Sequence, residues 1–142
     1  MESSEITTLQ AAMGSLSLRS KLKIISRIDE IGNSLKLKRI ALEDSVISSI
    51  GTHLQDGNRD INLGNLSIDG TKLSGRIMRL IDQFAIEHAF VRGRNDDKEW
   101  FVVKGQGNRA ADVVAKHYQG VKGLKYGSRG DFVQGFVDFK LL

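Results

Sequence analysis

Apolar positions recur every three or four residues through the first third of the chain. Ile6, Leu9, Met13 and Leu16 begin the series, with Gly14 as a stop or bend. Leu18, Leu22, Ile25, Ile28 and Ile31 carry it on to Gly32-Asn33, a pair suited to closing a helix. Ser34 can cap a further segment bearing Ile40, Val46, Ile47, Ile50 and Leu54, which stops near Asp56-Gly57. Three short helices are expected, their Ile and Leu faces packing on each other or on a second subunit as a dimer interface.

Between Asn58 and Gly70 the pattern weakens. Ile61, Leu63, Leu66 and Ile68 alternate imperfectly, as in a short strand or an irregular connection. A strong helix is expected from Leu73 to Glu87, with Leu73, Ile77, Leu80, Ile81, Phe84 and His88 on one face and Lys72, Arg76, Arg79 and Gln83 beside them. His88 then reads as a satisfied core histidine.

The period next falls from 3.6 to 2. HAFVRG and EWFVVK are β-prone runs joined by the polar stretch Arg94 to Lys98, which suits an antiparallel hairpin. Alternation puts Trp100 and Val102 on one face and Phe101 and Val103 on the other, so a buried Trp100 is expected. A helix follows, and the tail FVQGFVDFKLL reads as a last strand or as a hairpin paired back through Lys125-Tyr126. The expected class is α+β: a helical part, 1–57, with a surface for oligomerisation, and a basic part, 58–142, of small antiparallel sheet and one or two packed helices, winged-helix-like in its order of parts.

Composition supports one folded domain. The chain has 142 residues, 40% hydrophobic and 27% charged, with neither cysteine nor proline. No cysteine means no disulfide framework, thiolate nucleophile or Cys-type zinc site. The N-terminus lacks the basic start and apolar run of a signal peptide, and no stretch has the length of a membrane span. A cytoplasmic protein without membrane attachment is expected, the nucleus being left open behind it.

Charge sharpens the picture. The net charge is +4, but residues 1–71 hold 8 Lys/Arg against 9 Asp/Glu, whereas residues 72–142 hold 13 against 8. A basic half attracts polyanions, of which nucleic acid is the commonest. In a winged arrangement the helix lies in the major groove and the hairpin reaches the backbone. Lys72, Arg76, Arg79, Arg92, Arg94, Lys98, Lys104 and Arg109 are the candidate contacts, with Arg76 and Arg79 nearest base edges.

Three patterns suggest other chemistry. Gly105-x-Gly107-x-x-Ala110 has dinucleotide-fingerprint spacing, but the chain has no room for the doubly wound sheet that gives it meaning. Asn108 as cap, Asp112 in the first turn, Lys116 and His117 in the last and Gly120 as terminator explain the segment as a helix. Phosphate contact from Lys104, Arg109 and the loop amides stays open. Asp131 with Asp138-Phe139-Lys140 loosely resembles a nuclease metal set, at too short a spacing. Asn95, Asp96, Asp97 and Glu99 lack a calcium-loop pattern and read as a solvated turn. His53, His88 and His117 are too scattered to form a ligand set.

Sequence thus points to a non-catalytic nucleic-acid binder without cofactor or metal, DNA ranking ahead of RNA, acting as a homo-oligomer such as a homodimer. An oligomeric interaction or inhibitor protein, such as a viral or mobile-element accessory factor with a protein partner, is the alternative. A binder of a small phosphorylated ligand comes third.

Overall fold

A computed structural model describes residues 17–141, so the helix expected over Ile6 to Leu16 lies outside the described residues. Contacts group the chain into two compact units, one up to Ala41 and one from Leu42.

A single helix, α1 (Leu18–Gln55), replaces the two helices expected over this stretch. Gly32-Asn33 does not end it. A glycine inside a helix costs only about 1 kcal/mol relative to alanine, and with no proline nearby every backbone N–H can continue the i to i−4 ladder. The helix stops where the sequence pattern stops it. Gly57 takes φ 89°, a conformation L side chains avoid, and the Asn58 amide donates to the His53 carbonyl at 2.9 Å. The Arg59 guanidinium donates to the Leu54 carbonyl at 3.1 Å, satisfying another orphan acceptor.

The second unit is built on five strands: β1 (Asp60–Asn65), β2 (Ala89–Asn95), β3 (Lys98–Lys104), β4 (Leu124–Arg129) and β5 (Phe132–Asp138). Their order is β1-β2-β3-β5-β4. β2 and β3 form the expected hairpin, closed by Asp96 and Asp97, with Asp96 at φ 48°. β4 and β5 form a second hairpin, pairing Tyr126 with Gly135. One pairing departs from the antiparallel expectation: β1 runs parallel to β2. The link between them is a 3-10 turn (Gly70–Leu73) and helix α2 (Ser74–Gln83), the crossover a parallel pair requires.

Helix α2 is shorter than its sequence pattern. Phe84 caps it and Ala85 turns to φ 53°, so Phe84 to His88 leave the helix. His88 is therefore exposed and outside any helix, not a core histidine.

Alternation along the strands divides the core in two, as expected. Trp100 and Val102 pack with Val91, Ile77 and Ile81, and with Val46, Ile50 and Leu54 from the last turns of α1. Phe101 and Val103 pack on the opposite face with Val133, Val137 and helix α3 (Arg109–His117), through Ala110, Val114 and Tyr118. Trp100 is 1% exposed. Burial, and then the neighbouring Glu99 carboxylate, push the Tyr118 phenol above its usual range, so it stays neutral. The unit is a mixed α+β layer structure, mostly antiparallel, with helices on both faces.

Candidate nucleic-acid interface

Register and helix placement distribute the eight candidate cations over several surfaces. β3 ends at Lys104, on the face shared with α2. Its ammonium donates to Asp82 of α2 at 2.8 Å and stands 5.5 Å from the centre of the Phe132 ring. Arg79 lies three residues, nearly one helical turn, before Asp82. Opposite them, the turn between β4 and β5 brings Arg129, Gly130 and Asp131, and the Gly105 amide donates to the Asp131 carbonyl at 2.9 Å.

These parts enclose an open groove of about 500 Å³, walled by Gly75, Met78, Arg79 and Asp82 on one side and Arg129 to Asp131 on the other, with Lys104 and Phe132 between. Lys104 is largely buried and its charge is offset by Asp82. Arg79 and Arg129 are exposed, and neither forms an ion pair among the described residues.

Arg129 was not among the sequence candidates. It sits in a Gly-rich turn that reads locally as a connection, and only the β5-β4 pairing carries it to the groove. Arg59, likewise unremarked, lines a smaller pocket of about 170 Å³ on the α3 side with Asp60, His88, Phe90, Arg109 and Val113.

The remaining candidates lie elsewhere. Arg76 is bonded to Asp44 of α1 at 3.0 Å. Lys72 is exposed on the 3-10 turn. Arg92 lies on the α3 face, 3.4 Å from Asp60 and 4.8 Å from the centre of the Phe90 ring. Arg94 covers the Phe139 ring at 4.2 Å and Lys98 the Phe136 ring at 4.8 Å. Lys98 and Arg94 flank the Asp96-Asp97 turn, at the opposite end of β3 from Lys104. That end is the more acidic one, with Asp69, Asp96, Asp97 and Asp138 around Lys98 and Lys140.

Both strands of the β2-β3 hairpin are also paired on their outer sides, β2 with β1 and β3 with β5, and its turn is held as well, the Asp97 carbonyl accepting from the Phe139 amide at 2.7 Å. Asp131 lies in the turn just before β5 and Asp138 ends the strand, roughly 20 Å away at strand spacing. Among the described residues no group of three His, Cys, Asp or Glu side chains could hold a metal ion. No described helix is long and apolar enough to cross a membrane.

The amides at either end of the Gly105–Asn108 loop are engaged. Gly105 N–H bonds Asp131, and Arg109 N–H bonds the Gln106 carbonyl at 3.2 Å. Asn108 occupies the cap position of α3 without a side-chain cap bond, and Gly120 takes φ 73° beyond its end. Arg109 opens α3 on one face of the sheet, whereas the Lys104 ammonium is directed to the other.

No protein-family model matches the chain, and no curated protein is significantly similar to it. Among solved structures it is similar to the C-Ala domain from Aquifex aeolicus alanyl-tRNA synthetase, 19% identical over 56% of this chain and 75% of that one, at a TM-score of 0.39. A likeness of that size carries no inference about fold or function.

Proposed function

We propose that this protein binds nucleic acid without reacting with it, and that the groove between α2 and the β4-β5 turn receives the phosphate backbone. The observation that carries this reading is the pair Arg79 and Arg129. Two guanidiniums from distant parts of the sequence face one groove, and no ion pair among the described residues engages either. Guanidinium forks bind phosphate oxygens in pairs, at lower desolvation cost than an ammonium. Lys104 adds a third positive group, partly neutralised by Asp82. Such contacts supply affinity and little sequence specificity. DNA remains the first ligand to test, with RNA as the comparison.

Fluorescence anisotropy with a labelled 20-mer, titrated with salt, tests this directly. The logarithm of the affinity should fall linearly with the logarithm of salt, and Arg79→Ala with Arg129→Ala together should lower that slope by about 2. Arg76→Ala, whose guanidinium already serves Asp44, should change it far less. No binding at about 50 mM salt, or an unchanged slope in the double variant, would sink the reading. A groove of 500 Å³ also lies within the range of roughly 300–1,000 Å³ that small ligands occupy. Displacement of the 20-mer by a millimolar mononucleotide would move the assignment to a small phosphorylated ligand.

A further inference from the structure

The pocket of about 170 Å³ on the α3 face lies at the end of the sheet where β1 and β2 begin and β3 stops. Phe90 and Val103, both buried, line it with half-buried Val113, and the more exposed Arg59, His88 and Arg109 complete it. Its aromatic wall is held in place before any ligand arrives: the Arg92 guanidinium stands 4.8 Å from the Phe90 ring centre, and the His117 ring packs on it edge to face at 4.9 Å. An apolar cavity of about 150 Å³ takes up one benzene ring. This pocket therefore has room for a single six-membered ring and not for a whole nucleotide.

Charge narrows the choice of ring. Arg59 and Arg109 form no ion pair among the described residues, and the one carboxylate at the pocket, Asp60, faces Arg92 at 3.4 Å. An apolar slot with two unengaged guanidiniums suits a flat heterocycle that carries an anionic group. Lys104 is a wall of both this pocket and the groove on the other face, so a phosphate backbone in the groove passes within one residue of the slot.

We infer that the pocket receives one unpaired base of a single-stranded nucleic acid whose backbone reaches it from the groove around the end of β3. The inference rests on the groove reading and names its ligand more closely. A duplex cannot serve in the same way, because a base must break its pairing and stacking before it can enter a pocket. In a single strand the base is free to leave its neighbours for an apolar surface.

Anisotropy at about 100 mM salt with three labelled 20-mers tests the inference: a single strand, its duplex, and a single strand in which abasic sites replace the bases and every phosphate is kept. The intact single strand should bind about tenfold tighter than either of the others, the scale of one stacked base. Val113→Phe, which fills the pocket, should bring the intact strand down to the abasic one and leave the duplex unmoved. Trp100 fluorescence, from the opposite face of the sheet, reports that this variant is folded. Arg109→Ala, at an exposed position, should lower the salt slope of the single strand by about 1 and leave that of the duplex unchanged. A duplex or an abasic strand that binds as tightly as the intact strand overturns the inference, as does an unchanged slope in Arg109→Ala. A mononucleotide that displaces the strand at equal concentration also overturns it and makes the ligand a free nucleotide. If strand and duplex bind alike while the Arg79 and Arg129 substitutions still lower the slope, this inference alone fails; no binding of any 20-mer takes the groove reading down with it.

Discussion

Gly70 and Trp100 fit so closely that a β-carbon on Gly70 would overlap Cδ2, Cε2 and Nε1 of the indole. Gly70 opens the 3-10 turn ahead of α2, and Trp100 is the largest side chain in the core on that face. Their contact fixes how near α2 can approach the sheet, and so how wide the groove can be.

Replacing Gly70 by alanine should cost about 1–3 kcal/mol, the usual penalty of overpacking a filled core. Gly93→Ala meets the same indole from β2 and should cost a similar amount. Gly135→Ala would press on the Lys125 carbonyl, a backbone group that cannot rotate away, and should cost at least as much. Gly75→Ala, in α2 with open space around it, is the control and should gain up to about 1 kcal/mol. Urea unfolding followed by Trp100 fluorescence measures all four.

Asp69 caps the 3-10 turn, accepting from the Thr71 amide at 3.0 Å and the Thr71 hydroxyl at 2.7 Å. Partial burial opposes its charge, but these bonds, with Lys98 and Lys72 nearby, outweigh it and hold the carboxyl below its ordinary value. A depressed folded pKa means that the bound charge adds stability above the unfolded value near 3.9, and that this stability is lost as pH falls through the folded one. Asp69→Ala should therefore cost about 1 kcal/mol at pH 7, and the gap between parent and variant should close below about pH 4. Urea midpoints at pH 7, 4 and 2.5 check the sign.

Asp82 holds the groove's lysine at 2.8 Å, which lowers the potential any phosphate would meet. Asp82→Asn should tighten 20-mer binding about threefold to tenfold at 50 mM salt, since one removed charge at close range is worth roughly 1 kcal/mol near water. The gain should fade towards 0.5 M salt. Weaker or unchanged binding would show that Lys104 is not part of the contact surface.

Gly32 has helical backbone and nothing within 4 Å of where its β-carbon would sit. Gly32→Ala should raise the stability of this stretch by about 0.5–1 kcal/mol. Circular dichroism at 222 nm during thermal unfolding should show the helical signal persisting to higher temperature, with the Trp100 transition unmoved.

By itself the sequence determined which residues face which side. The period of two placed Trp100 and Val102 opposite Phe101 and Val103, and the turn residues placed the hairpin and the end of α1 at Gly57, because alternation and left-handed turns are local properties of the backbone. Local signals misjudged Gly32-Asn33, where helix continued through a tolerable glycine, and the end of α2, where Ala85 turned against its own preference. Tertiary structure alone decided the neighbours: β1 parallel to β2, and β5 between β3 and β4. A strand's pattern specifies its buried face but not the partner at its edge, and pairing partners come from distant segments. The groove follows the same rule. That Lys104 and Arg79 are basic was legible in the chain, but their meeting with Arg129, and the separation of Arg94 and Lys98 to the other end of the sheet, were set by strand order.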